Sequence, residues 1–240
     1  MSSESENTAH PVPKKRESLL ANLLLNIVIP TLILTKLSGD EYLGTKLAIV
    51  IALAFPLAYG LKDFVATRKI NIFSALGLIS IFLTGGISLL QLDPKYIAIK
   101  EAAIPAIFGI ATLFSLKTRF PLVKTFLYND KVLKVDKIAE ALRQTGNELA
   151  FESVLKNASY VVAASFFLSS VLNYVLAKII LVSPPGTVEF NAELGKMTAL
   201  SYPVIAVPAM LVMMGALFYL FRNIHRLTKL DFEEIINDGK

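Results

Sequence analysis

The sequence predicts an all-α, polytopic membrane bundle of six transmembrane helices, and three observations carry that reading. Long uncharged runs recur along the chain. Residues 70–92, for example, are 23 residues without a charge, enough as a helix to cross the roughly 30 Å of bilayer hydrocarbon. The chain as a whole is 54% hydrophobic with a mean hydropathy of +0.59, beyond the range of ordinary soluble domains. Finally, Lys and Arg crowd into alternate connections, as they do where one side of a membrane retains positive charge.

Taken in order, residues 1–18 are polar and Pro-containing and predict a disordered tail. The first span is predicted at 19–37, with Asn22, Asn26 and Pro30 one turn apart on one face. No small-x-small cleavage site follows the Lys14-Lys15-Arg16 cluster, so this run reads as a retained helix and not a removed leader. A second span is predicted at 42–61. It crosses only if Lys46 reaches back to the interface with its ammonium. The third span, 70–92, carries Ser74, Gly77, Ser80, Thr84, Ser88 and Gln91 at steps of three or four, one polar and small stripe opposite an Ile, Leu and Phe face. Small residues let helices approach closely, so this helix is expected inside a bundle.

A fourth span is predicted at 96–116, with Lys100 and Glu101 near its outer start. The polar segment 117–157 follows. Within it Val135, Ile138, Ala139 and Leu142 fit i, i+3, i+4, i+7, a short amphipathic helix expected on the membrane surface or against the end of the bundle. The fifth span, 158–182, bears Ser165, Ser169, Asn173 and Ala177 one turn apart. The breaker Pro184-Pro185-Gly186 lies in the loop that leads to the sixth span, 197–221. Residues 225–240 predict a mixed-charge tail.

The N-terminal tail, the turn after the second span, the segment after the fourth and the C-terminal tail hold 18 of the 24 Lys and Arg residues. By the positive-inside rule these connections and both termini are expected to be cytoplasmic. The six spans also form three similar hairpins. Each returning helix has a lysine near its outer start (Lys46, Lys100, Lys196) and a proline followed by glycine (Pro56 and Gly60, Pro105 and Gly109, Pro208 and Gly215). A threefold pseudo-repeat would turn the polar stripes of spans one, three and five toward one seam.

Chemistry in the residues is sparse. There is no cysteine, which excludes disulfides, thiolate catalysis and zinc–sulfur sites. The two histidines, His10 and His225, lie in the tails. Ser153-Val154-Leu155-Lys156 matches S-x-x-K without its companion motifs. No phosphate-binding glycine loop occurs. The basic residues alternate with Asp130, Asp136, Glu140, Glu148 and Glu152, unlike the acid-poor stripe of a nucleic-acid binder. The expectation is a non-enzymatic protein with no cofactor and no metal, in contact with membrane lipids.

The candidate site is the polar seam of Asn22, Asn26, Ser80, Thr84, Ser88, Ser169 and Asn173. It would serve either as a path for a small solute or lipid headgroup or as interhelical hydrogen bonding. A second candidate is the set of outer lysines, Lys46, Lys100, Lys178 and Lys196, as contacts for anionic groups.

Several short runs carry a resemblance: Gly85-Gly86-Ile87-Ser88-Leu89, Asp93, Tyr96-Ile97, Lys100, Lys117, Pro121-Leu122-Val123, Phe166-Phe167 before Asn173-Tyr174, and Phe190-Asn191. Over roughly residues 19–224 the chain resembles the bacterial intracellular septation protein A family (YciB-type inner-membrane proteins). The charged segment 131–156 departs from that more compact pattern. The resemblance implies a bacterial inner-membrane protein that supports envelope integrity, septation and membrane homeostasis through other membrane proteins or lipids. It carries no catalytic residues to this chain.

Overall fold

The computed structural model describes residues 19–67, 72–118, 121–130 and 132–237, and among them the chain is helical with no strand. The tail 1–18 and the basic pair Arg68 and Lys69 lie outside the described residues. The first helix comprises α1 (Leu19–Leu23), a π-turn (Leu24–Val28) and α2 (Ile29–Lys36). A turn leads to α3 (Gly44–Thr67), α4 (Ile72–Leu89) and α5 (Lys95–Ser115). Then come the short α6 (Leu122–Phe126), α7 (Val135–Thr145) and the 33-residue α8 (Glu148–Ile180). The last long helix is α9 (Val188–Ser201), a second π-turn (Tyr202–Ala206) and α10 (Val207–Thr228), and α11 (Phe232–Ile235) closes the chain.

Among the described residues four stretches are long and apolar enough to cross a membrane: Gly44–Lys62, Lys95–Ser115, Glu148–Ile180 and Val188–Thr228. The first and third predicted spans are shorter apolar helices, Leu24–Lys36 and Ala75–Leu89. Both π-turns have one cause. A proline lacks the N–H that bonds the carbonyl four residues back, and its ring clashes with that carbonyl. Pro30 would meet Asn26 and Pro208 would meet Val204. In each case that residue lies inside a widened turn that relieves the clash.

The helices α2, α3, α4, α5, α8 and α9 succeed one another around a ring, each against the next, with α9 closing on α2. All six contribute to one core, which includes Ile33, Leu34, Ile49, Ile87, Ile97, Ala177, Phe190 and Leu194. The broadest contact is between α5 and α8. There a Cβ on Gly109 would stand 3.0 Å from the Phe167 ring, and Ser170 Oγ donates to the Ala102 carbonyl at 2.8 Å.

At the opposite end of the bundle two expectations are corrected and one is narrowed. The fifth span begins not at 158 but at Glu148, because Phe151, Val154, Leu155 and Ala158 continue a buried stripe at helical spacing. Of the two places expected for the amphipathic helix within 117–157, the membrane surface or the end of the bundle, α7 takes the second. Ile138 and Leu142 of α7 pack into a second core with Val154, Leu220, Ile224 and Ile235. The C-terminal tail predicted from 225 is folded: α10 runs to Thr228, and α11 returns to α7 through Lys134 N–H to the Ile235 carbonyl at 2.9 Å and Asn237 N–H to the Val132 carbonyl at 3.0 Å. Between α7 and α8, Gly146 adopts φ +67°. Its N–H and that of Asn147 cap the last α7 carbonyls, the turn that favours glycine.

The expected pseudo-repeat is not borne out. The returning helices differ in length, and a Cβ on Gly60 or Gly215 meets nothing within 4 Å whereas one on Gly109 meets Phe167.

Candidate functional site

The stripe on α4 presents Ser80, Thr84 and Ser88 at four-residue steps. Thr84 Oγ1 donates to the Ser80 carbonyl at 3.0 Å, leaving its lone pairs turned outward from the helix. On α5, Lys100 follows Ile97 by three residues and shares its inward face, because Ile97 is fully buried. Its Nζ donates to Ser80 Oγ at 3.0 Å, Thr84 Oγ1 at 2.7 Å and Glu101 Oε1 at 2.6 Å. The Lys100 side chain is 6% exposed and that of Glu101 28%. An ammonium has three N–H donors, and all three are used. Lys100 is therefore not an outer contact for anionic groups but an interhelical clamp inside the predicted seam. Ser88 Oγ, buried one turn further along, has no hydrogen-bond partner among the described residues.

The rest of the seam does not converge on this cluster. Asn26 Nδ2 donates to Asn22 Oδ1 at 3.1 Å, and Asn173 Nδ2 donates to the Ser169 carbonyl at 2.8 Å, both within one helix. In the ring α5 stands between α4 and α8, and α9 between α8 and α2. Spans one, three and five thus alternate with the other three and do not pack broadly on one another. Of the outer lysines, Lys46, Lys178 and Lys196 are exposed. Lys178 lies near enough to Asp93 to help hold its carboxyl below the ordinary range. The main causes of that depression are the Lys95 backbone N–H and the Lys95 side chain.

Two polar anchors at the loop end escaped the sequence reading. Asn191 is fully buried, and its Nδ2 donates to Ser38 Oγ at 3.0 Å and the Thr45 carbonyl at 2.8 Å, tying α9 to the first hairpin. Glu193 accepts from the N–H groups of Val182 and Ser183, at 2.9 Å each, and from Ser183 Oγ at 2.7 Å, closing the turn after α8. A signal for both was present in Thr187. It caps α9 by accepting the Phe190 N–H at 3.1 Å, so Thr followed by Glu189 marks a helix start at 188 in place of the expected loop up to 195.

In the Lys100 cluster the ammonium has no donor left to give. Among the described residues no group of three His, Asp or Glu side chains is placed to hold a metal. What the cluster does is fasten α4, which has only α3 and α5 as neighbours in the ring. No family model, curated protein or solved structure matches the chain.

Proposed function

We propose that this chain is a non-enzymatic, six-span integral membrane protein that acts through contacts with lipids and with other membrane proteins. The observation that carries the reading is the closure of the polar stripes. Asn26, Thr84 and Asn173 each spend a hydrogen bond on their own helix, and Lys100 is consumed by Ser80, Thr84 and Glu101. Most of what remains outward is apolar, with Leu83, Ile107, Phe114, Val171, Ile179, Met210 and Phe218 among the exposed side chains. That is the belt expected of a surface solvated by hydrocarbon.

The six-span count is supported by the shorter helices α2 and α4 taking their places in the ring beside the four long ones. The placement of both termini in the cytoplasm of a bacterial inner membrane is supported by the distribution of Lys and Arg. A role in envelope integrity and septation is supported by the residues that resemble the septation protein family. The competing use, a small-solute or lipid transporter through the seam, requires a continuous polar path.

Reconstitution into sealed vesicles tests the choice. Purified protein is expected to leave the vesicles impermeable to small ions, sugars and amino acids and to leave headgroup-labelled lipid in its own leaflet. Flux or lipid transfer in the wild type that Asn26→Leu with Asn173→Leu abolishes, while the protein stays folded, would overturn the proposal in favour of the transporter.

A further inference from the structure

A recess of about 450 Å³ opens between the first helix and α3. One wall is the π-turn, which contributes Leu25. The other is a stripe of α3 at four-residue steps, Val50, Ala54, Ala58 and Lys62, with Tyr59 beside its end. The spacing puts those side chains in one line along the helix. Two alanines make that line a trough, and the proline-driven widening at Leu24–Val28 holds the opposing helix in a non-α turn there. Towards the other end of the hairpin the two helices close on each other, with Ala48, Ile49 and Ala52 buried beside Ile33 and Leu34 in the core. From Val50 to Lys62 the trough is about 18 Å long, close to the depth of one leaflet of a roughly 30 Å hydrocarbon layer.

We infer that this recess holds one acyl chain of a membrane phospholipid with an anionic headgroup, the headgroup phosphate lying against Lys62. The layout matches in sequence along its length. The end at Val50 and the middle are apolar, Tyr59 sits where aromatic rings meet the headgroup layer, and the exposed Lys62 is the last residue of the apolar span. A lysine at that depth carries its ammonium to the interface, where anionic lipid is attracted to it. A partner transmembrane helix fits less well. It would run the whole thickness of the bilayer, whereas the lining from Val50 to Lys62 covers about 18 Å, little more than one leaflet. The inference rests on the lipid-contact reading above and narrows it to one site and one headgroup charge.

The experiment is native mass spectrometry of the full chain released from mixed phosphatidylglycerol and phosphatidylcholine of identical acyl chains. The wild type is expected to retain one phosphatidylglycerol per chain. Lys62→Gln is expected to reduce the preference over phosphatidylcholine about fivefold while a lipid is still retained, and Ala54→Phe with Ala58→Phe to lose the retained lipid altogether. Equal retention in the filled variant, or undiminished preference in Lys62→Gln, would overturn the inference.

Because the double Phe variant could fail to fold, the unaltered protein is also cross-linked with phosphatidylglycerol bearing a photoreactive acyl chain. Adducts concentrated in the peptide spanning 50–62 are expected, and an even spread over all spans would overturn the site. Failure of these tests with impermeable vesicles removes only the recess. Solute flux in the wild type removes the reading on which it stands.

Discussion

Lys100 and Thr84 join α5 to α4 through a 2.7 Å hydrogen bond whose acceptor hydroxyl is itself held by the Ser80 carbonyl at 3.0 Å. The ammonium is thus positioned by a side chain that cannot rotate away without giving up its own bond. With Glu101 at 2.6 Å the pair is nearly withdrawn from solvent on the lysine side. A buried ion pair is a poor source of net stability but a severe liability when halved, because the remaining charge keeps its desolvation cost.

Removing one partner should therefore hurt more than removing both. Glu101→Ala is expected to lower stability by about 3 kcal/mol, while Lys100→Met with Glu101→Leu loses less than that single change. Ser80→Ala with Thr84→Ala should cost about 1–3 kcal/mol, since two interhelical bonds to the amine go at once. Chemical denaturation in a single detergent measures all three. A double Lys100/Glu101 variant less stable than Glu101→Ala would show that the pair is not the energetic unit.

Gly109 and Phe167 make a tight approach between α5 and α8, with three ring carbons 3.0–3.2 Å from the position of an added Cβ. Gly109→Ala is expected to destabilise by about 1–3 kcal/mol through overpacking, despite alanine's better helix propensity. Phe167→Leu alone should cost about 1–2 kcal/mol as lost apolar contact. The double variant should recover part of the Gly109→Ala loss. Strictly additive losses in a double-mutant cycle would show that the ring yields freely.

Much of this arrangement was legible in the sequence, and the residues show where legibility stopped. The Ser80 and Thr84 stripe follows from spacing alone, and it is the face that meets α5. Lys100 was read as an outer residue from its distance to the start of the span, which ignores azimuth. Its three-residue offset from Ile97 carried the correct answer. The buried face of α7 was likewise legible as Ile138 and Leu142. What covers it was not, because the cover is Ile235, nearly a hundred residues away, and a local period specifies a face without naming its partner. The π-turns were readable only as prolines. Their position depends on the carbonyl each proline displaces.

Tyr128 provides an alkaline probe of the second core. Burial raises its phenol from an ordinary 10.0 to about 12, with Asp130 and Asp136 adding to the shift. Its ring stands edge-on to Phe151 at 5.1 Å. A folded-state value above the unfolded one means that the contribution to stability is complete below pH 10.0 and is lost as pH rises toward about 12. Phenolate absorbance should show one tyrosine titrating late. Tyr128→Phe should flatten the fall in melting temperature across that window. A fall of equal size in the variant would assign it to other groups.

The acid side is governed by Glu234. Its carboxyl accepts from Lys137 Nζ at 2.9 Å and from the Asp231 N–H at 3.0 Å. These two bonds, the lysine first, hold it below the ordinary 4.5. The sign is opposite to that of Tyr128. The contribution is present above pH 4.5 and disappears as pH falls through the lower folded-state value. Because Glu234 joins Lys137 on α7 to the cap of α11, acid should loosen the docking of the C-terminal turn first. The reporters are the Lys134 and Asn237 amides, which bond across that contact. Their hydrogen exchange, corrected for its intrinsic pH dependence, should accelerate below pH 4.5 while the amides of α5 stay protected. Glu234→Gln keeps an acceptor for the cap but loses the charge, so docking should become independent of acid and weaker at neutral pH. Glu234→Ala loses both bonds and should exchange fastest at every pH. Should Glu234→Gln retain the wild-type acid response, the carboxylate would be a bystander, and the docking of α11 would rest on burial of Ile235 and the backbone bonds of Lys134 and Asn237.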